Sequence, residues 1–344
     1  MEQNLQIIDP TVFTDWDGLI KDKTDYAFFN STLWANVLKK TYAFKSCYLS
    51  IIEDNKIQFL LPLMDVKSWL TSRRVVSLPF TDFCFPIINS NNYNSIFEKI
   101  IKTCASNNWQ TIEFRSNDFI QENYLSSSTY YNHKINLNEN SDLLFNKLKS
   151  STKRNINKAI KEGIEVKICD SKNALIDYYR LHCKTRKKHG IPPQPFKFFK
   201  NILDCIINAG FGKIFLAIFN NTPIAGAIYF SFGHQVIYKF GASDSKYQIL
   251  RANNLVMWKA IQYFSKQGYI TLFLGRTDLP NEGLRRYKKN WNADEKIIKY
   301  SIYDIQQNEF IRTKSISNTY INVFKIMPLI VLKLIGLVSY RHSG

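Results

Sequence analysis

The strongest constraint on the fold of this chain is a repeated order of strand-like and helical runs. Residues 48–52 and 57–63 are two β-rich runs joined at Asp54-Asn55, which reads as a hairpin. Residues 75–78 read as a short strand ending at Pro79-Phe80-Thr81-Asp82. Ile96, Ile100, Ile101 and Cys104 then fall on one helix face, and residues 109–114 close the series as a strand. Roughly 160 residues later the order returns. Residues 214–219 and 225–232 flank Asn220-Asn221, 236–240 supply a further strand, Leu255, Trp258, Ile261 and Phe264 mark a helix ending near Gly268, and 270–274 form the last strand. Two copies of one fold are the simplest account; the alternative is chance repetition of a common order. Before the first copy, Ser31 or Thr32 caps a short helix through Leu38, near Phe28, Phe29 and Trp34.

Charge narrows the partners. The formal net charge is +18, so a large face is positive at neutral pH, which suits phosphate-bearing partners or an anionic membrane surface. Residues 141–190 are the most basic part, with 13 Lys or Arg against 5 Asp or Glu. There Ser150, Ser151 and Thr152 offer a helix cap, Ile156, Ala159 and Ile160 an apolar face, and Gly163 a stop. Arg154, Lys158 and Lys161 line an opposite ridge. A helical segment at 175–181 leads to a second cluster, Arg186-Lys187-Lys188-His189, before Gly190 and Pro192-Pro193. These clusters read either as solvated faces or as one anion-binding surface.

Residues 275–291 put five cations, two carboxylates, a Pro and two Gly into an expected loop after the last strand, the position where functional groups gather at a sheet rim. An ordinary basic surface loop is the plainer reading. Residues 321–340 are apolar but interrupted by Lys325, Pro328, Lys333 and Gly336. A central Lys disfavours a membrane span, which leaves an interfacial helix or a tail docked on the second domain.

The chain has no GxxxxGK, GxGxxG or HExxH pattern, so nucleotide hydrolysis, dinucleotide binding and zincin chemistry have no support. No helix-turn-helix or RNP-type motif points to sequence-specific DNA binding. The six cysteines are scattered without a CxxC pair and signal neither a metal site nor a disulfide framework. None of the five histidines adjoins a nucleophile elbow. The first ten residues lack the pattern of a secretory signal, and a cytoplasmic protein is expected.

Several stretches in order then carry a resemblance. They are Ser151-x-x-Arg154-x-x-x-Lys158-Ala159 with Lys161 and Gly163; Thr185-Arg186-Lys187-Lys188-His189-Gly190-Ile191-Pro192; Tyr238-Lys239-Phe240-Gly241-Ala242-Ser243; Asn253-Asn254-Leu255 through Trp258 and Ala260-Ile261; and Gly275-Arg276 with Gly283-Leu284 and Tyr287-Lys288. Over residues 25–300 the chain resembles the FemAB-like branch of the GNAT acyltransferase superfamily, which includes peptidoglycan-bridge aminoacyltransferases. The resemblance implies an α/β fold of two tandem GNAT-like domains, each a twisted mixed β-sheet flanked by helices, placed at 1–145 and 146–310 with a basic-apolar tail at 311–344.

It also implies attack of an amine on an activated acyl carbon without a covalent enzyme intermediate, on an anionic, nucleotide- or lipid-linked envelope precursor. Tyr287-Lys288 matches the family's aromatic-Lys pair, which makes Lys288 the expected oxyanion partner. Asp82 is the expected base, its apolar context favouring a raised pKa, although a turn carboxylate is the plainer reading. Asp244 is the second carboxylate. Arg154, Lys158, Arg186 and Arg276 are expected to hold phosphate, with His189 and Tyr238 beside the substrate. No tightly bound cofactor or metal is expected. The stretch 247–254 lacks the glycines that cradle the pyrophosphate of coenzyme A in GNAT enzymes, which weakens acetyl-CoA as donor and leaves aminoacyl-tRNA or another acyl carrier open.

Overall fold

The computed structural model describes residues 4–21, 28–68, 72–89, 93–116, 126–312 and 319–342. The chain opens with β1 (Gln6–Ile8), α1 (Trp16–Lys21), α2 (Thr32–Tyr42), β2 (Lys45–Ser46), β3 (Tyr48–Glu53), β4 (Lys56–Leu61), β5 (Met64–Ser68), β6 (Ser72–Val76), β7 (Ile87–Ile88), α3 (Tyr93–Ser106) and β8 (Thr111–Phe114). It continues with β9 (Ser128–Asn136), α4 (Ser141–Lys147), α5 (Ser150–Lys161), β10 (Glu165–Cys169), α6 (Lys172–Lys188), α7 (Phe196–Ile202), β11 (Gly212–Phe219), β12 (Thr222–Phe232), β13 (Gln235–Ser243), α8 (Ala252–Lys266), β14 (Thr271–Asp278) and α9 (Glu282–Lys289). Last come β15 (Asp294–Asp304), β16 (Glu309–Ile311), α10 (Thr319–Ile326) and α11 (Leu329–Ser339).

These elements form two compact units, one of residues 1–130, 297–315 and 338–344, the other of residues 131–296 and 316–337. Both are discontinuous, and the boundary expected at 145/146 falls inside the second.

In the first unit Ser31 caps α2 by accepting from the Leu33 amide, as expected. β3 and β4 form an antiparallel hairpin across Asp54-Asn55, both at positive φ (49° and 55°), as a two-residue type I′ turn demands. The strand expected to reach Leu78 stops at Val76, and Leu78 enters a turn at φ 44°. β5, which sequence periodicity does not reveal, pairs antiparallel with β6, and β6 pairs parallel with β8 after the α3 crossover. Ile96, Ile100 and Cys104 of α3 are buried against Leu49, Ile51, Phe59, Val75 and Ile112.

The second unit repeats this plan. The β11–β12 hairpin turns at Asn220-Asn221, again both at positive φ (47° and 58°). β10 through β13 are antiparallel neighbours, and β13 pairs parallel with β14 after the α8 crossover. Residues 224–232 of β12 are all buried, as a strand covered on both faces must be. Phe215, Ala217, Ala227 and Tyr229 share a core with α8 and α5. On the other face Gly226 lies against Tyr178 of α6, and Phe240 packs on His182 and Phe199. The expected mixed α/β architecture, helices on a mixed sheet in two tandem copies, is what the chain builds.

Three local expectations need correction. The N-cap of α5 is Lys149 with no side-chain bond; Ser150–Thr152 lie inside the helix. Ile160 is 54% exposed, so the apolar face of α5 is narrower than its sequence suggests, with Ile156 and Ala159 buried. The expected loop 275–291 is the end of β14, a turn and the helix α9: Asn281 caps that helix by accepting from the Leu284 amide at 3.1 Å, and Arg285 bridges back to Glu282.

Candidate active site

The site is built where β13 and β14 part. Their parallel pairing covers only Gln235↔Thr271 to Ile237↔Phe273, whereas β13 continues to Ser243 and β14 to Asp278. A register shift in β12–β13 between Ile228 and Tyr229 leaves Lys239 as the extra residue and re-aims the end of β13. A cavity of about 440 Å³ opens along this end. Its wall includes Tyr238, Gly241, Ala242, Ser243 and Asp244 from β13 and the turn after it, Thr185 and His189 from α6, Asn155 from α5, the α8 entrance at 251–254, and Leu284 and Tyr287 from α9.

Side-chain bonds hold these walls. The Thr185 hydroxyl accepts from the Ser243 amide at 2.9 Å and donates to the Ser243 carbonyl at 3.1 Å, which fixes α6 to the end of β13. Asn253 donates to the Ser243 hydroxyl at 3.2 Å. Lys184 reaches Asp244 at 2.5 Å. Gly241 leaves room for the Tyr238 phenol: a Cβ there would meet its hydroxyl at 1.6 Å and force the side chain to shift.

Two phenols, of Tyr238 and Tyr287, line the cavity. Burial pushes Tyr238 up to about 12 and raises Tyr287 further, the Tyr238 phenol adding to the latter. Both therefore stay protonated at neutral pH and can donate an O–H. His189 is shifted the other way, first by burial and then by the charges of Lys188, Arg186 and Lys325, so its imidazole is neutral at pH 7 and can accept a proton.

Of the ten expected site residues, the cavity brings together four: Tyr238, His189, Asp244 and Tyr287. Asp244 is held below the usual carboxylate range, chiefly by its bond to Lys184, and it accepts from the Lys246 amide as the cap of the 3-10 turn 245–250; it serves as an ionised brace. Lys288 is buried on α9, its ammonium donating to the carbonyls of Gly275 at 2.8 Å and Arg276 at 3.0 Å, and it is not among the residues lining the cavity. Arg154 and Lys158 sit on α5 and Arg186 in the last turn of α6, outside the lining, as does Arg276 on β14.

Asp82 lies in the first unit, half-buried, its carbonyl accepting from the Tyr300 hydroxyl at 2.7 Å. The stretch Arg115-Ser116-Asn117-Asp118 follows the last strand of the first repeat as 275–291 follows that of the second and has far fewer cations; its Asn117 and Asp118 lie outside the described residues.

Sequence reasoning did not single out Thr185, Ser243, Asn155 or Asn253 as site residues. The available signal was the Gly241-Ala242-Ser243 step at a strand end followed by Asn253-Asn254 at a helix start. The glycine-free stretch has a further feature. Arg251 stands at φ 60°, the left-handed region, at the head of α8, so the backbone takes the course a glycine would allow while carrying a side chain.

Residues 146–289 match the family model of the acetyltransferase (GNAT) domain. The fold is similar to three solved structures. FemX aligns with a TM-score of 0.67 at 14% identity, over 86% of this chain and 96% of that one. The C-terminal domain of a putative lysylphosphatidylglycerol synthetase from Agrobacterium fabrum aligns at 0.54 and 9% identity, over 78% and 87%. A tandem GNAT protein from the clavulanic acid biosynthesis pathway aligns at 0.55 and 6% identity, over 88% and 98%. No curated protein matches the sequence. Residues 146–289 carry a GNAT acetyltransferase domain, which makes the chain an acyltransferase, and the overall fold is similar to those of FemX and the tandem GNAT protein.

Proposed function

We propose that this GNAT-fold acyltransferase moves an aminoacyl or acyl group onto an amine of a cell-envelope precursor, peptidoglycan or polysaccharide, at the inner face of the membrane. The observation that carries the reading is the cavity at the parting of β13 and β14, with two protonated phenols and a neutral imidazole in its wall.

In this reading the acyl carbonyl lies against the phenols of Tyr238 and Tyr287, which donate to the oxygen as negative charge develops on it. His189 accepts the proton released by the attacking amine. Lys288 supplies positive charge from behind, holding the end of β14 through Gly275 and Arg276. The base assigned to Asp82 in the first unit is a rival to His189, and Asp82→Asn against His189→Asn separates them by which one flattens the acidic limb of the rate–pH profile. The cations Arg154, Lys158, Arg186 and Arg276 would hold the phosphate of a nucleotide- or lipid-linked acceptor. The lysylphosphatidylglycerol synthetase domain, by its name, supports an acceptor of lipid type.

The donor is the open choice within this reading. The Arg251 side chain occupies the head of α8, which favours aminoacyl-tRNA or another acyl carrier, and the +18 charge suits tRNA. A second reading, acetyl-CoA-dependent N-acetylation of a sugar amine, draws on the left-handed backbone retained at Arg251 and on the acetyltransferase family match. Mass spectrometry of products formed from charged tRNAs and acyl-CoAs, offered in parallel with nucleotide- and lipid-linked acceptors, tests both. Acyl transfer from tRNA alone supports the first, saturable coenzyme A binding with acetyl transfer supports the second, and absence of any product with folded protein defeats both in favour of a tRNA- or membrane-binding module.

A further inference from the structure

Helices α10 and α11 are apolar on two sides, and among the described residues only one side is covered. On the covered side, a Cβ at Gly190 would meet the Ile321 carbonyl oxygen at 2.2 Å, and one at Gly336 would meet the Pro193 carbonyl oxygen at 2.1 Å. Leu332 is fully buried, and the Lys333 ammonium stands 5.5 Å from the centre of the Tyr179 ring of α6. The other side carries Val323, Ile326, Ile330, Leu334 and Leu337, exposed by 47, 83, 71, 60 and 57%. Ile330, Leu334 and Leu337 recur at i, i+4 and i+7, so they form one stripe along α11. A contiguous exposed stripe of large aliphatic residues marks an interaction surface.

Its surroundings specify the partner. Lys325 and Lys333 flank the stripe, and from residue 310 to the end the sequence has five Lys or Arg and neither Asp nor Glu. An apolar helix face rimmed by cations alone matches an anionic bilayer, where the aliphatic groups enter the acyl boundary and the ammonium groups meet headgroups. No helix among the described residues is long and apolar enough to cross a membrane, so this one would lie in the surface plane.

The stripe is also tied to the cavity. α10 and α11 rest on Gly190 and Pro193, directly after α6, whose Thr185 and C-cap residue His189 line the cavity. Lys325 is close enough to contribute to the charge field at His189.

We propose that α10 and α11 seat the second unit on an anionic lipid bilayer and present the cavity beside it to a lipid-linked acceptor. The choice of acceptor rests on the acyl-transfer reading; the seating does not.

The test is co-sedimentation of the full chain with vesicles of phosphatidylglycerol and phosphatidylethanolamine, against vesicles of phosphatidylcholine. Binding to the anionic vesicles is expected, weakened by salt. Ile330→Ser with Leu334→Ser should weaken it on the order of tenfold or more, since each position loses most of its burial in lipid. Both side chains are exposed, so the thermal midpoint should hold, which separates lost docking from lost folding. Lys325→Gln with Lys333→Gln should reduce the preference for anionic over neutral vesicles. Unchanged vesicle binding by the Ile330/Leu334 variant would overturn the proposal, and so would a wild-type dimer that ignores vesicles and dissociates in that variant, because a second copy would then cover the stripe. Turnover of a water-soluble acceptor should survive in the variant. Vesicle binding without any acyl transfer would remove the functional reading and leave the seating intact.

Discussion

Replacing Lys288 by Met separates support from chemistry. The ammonium is buried and donates to the Gly275 and Arg276 carbonyls at 2.8 and 3.0 Å, where β14 turns through Gly275 at φ 72°. Methionine fills nearly the same volume without donors. Each buried carbonyl that loses its partner costs about 1–3 kcal/mol, so the gross loss is about 2–6 kcal/mol. Part of this is returned, because a charged group no longer has to be kept out of water. A net destabilisation of about 1–3 kcal/mol is expected, which for a unit of this size lowers the melting temperature by about 3–10 °C. Calorimetry of the full chain suits the measurement, since two units can melt separately. If Lys288 also supplies charge to the oxyanion, kcat should fall by about 100-fold or more at a temperature where the variant is folded, with KM little changed. Lys288→Arg keeps the charge, yet the planar guanidinium does not reproduce the two ammonium bonds, and it should rescue neither quantity fully. A lowered melting temperature with normal kcat would confine Lys288 to support. An unchanged melting temperature would refute the argument from the carbonyls.

Three further outcomes follow from the same geometry. Gly241→Ala places a Cβ 1.6 Å from the Tyr238 hydroxyl, so the phenol must swing away; activity should drop sharply while stability falls by about 1–3 kcal/mol, and a variant with normal turnover would remove Tyr238 from the oxyanion site. Arg251→Gly relieves a left-handed residue at φ 60°, and should change stability by no more than about 1 kcal/mol while strengthening coenzyme A binding in calorimetry if the side chain is what obstructs the cradle. Stability should also fall in two acid steps. His133 is held below its ordinary 6.5, first by burial and then by Lys288, so its contribution is full above pH 6.5 and is lost as pH falls through the lowered value. Glu295 is held at about 2 against 4.5, chiefly by Arg285, so its contribution is full above pH 4.5 and is lost as pH falls toward 2; Glu295→Gln should abolish that second step in acid-unfolding curves.

The parts of the fold that were legible in the sequence share a local cause. Both hairpins were visible because Asp54-Asn55 and Asn220-Asn221 are residue types that tolerate the two consecutive positive φ values of a type I′ turn. The helices α3 and α8 were visible because Ile96, Ile100 and Cys104, and Leu255, Trp258, Ile261 and Phe264, keep helical spacing against one core each. β5 was not visible, since Leu61-Pro62-Leu63-Met64 reads as the continuation of one apolar run, although Pro62 is where the two strands separate. α9 was misread for the opposite reason. Its sequence is dense in charge, and the signals that make it a helix are an Asn281 cap and Arg285 bonds, one of which goes to Glu295 beyond its own end.

The site was legible only where short motifs carry it. Tyr238 and His189 were named through the motifs that carry the resemblance, and the structure adds their surroundings: Gly241 close to the Tyr238 hydroxyl, and cations beside His189. What joins them to Tyr287 is the early parting of β13 from β14, beside the β12–β13 register shift, and no side chain in the motif announces either. The same limit explains Lys288. A lysine next to an aromatic residue looks poised for a ligand, but its partner atoms are main-chain carbonyls of a strand 12 and 13 residues earlier, and a sequence carries no mark of which carbonyls a strand end leaves open. α11 shows the reverse case: an interfacial helix and a docked tail were alternatives in the sequence, and the structure docks Leu332 and Gly336 inward while Ile330 and Leu334 are exposed. An apolar run too interrupted to span a membrane can thus carry two surfaces: Gly336 permits the close approach to Pro193 and Lys333 sets its ammonium against the Tyr179 ring, while Ile330 and Leu334 stay outside.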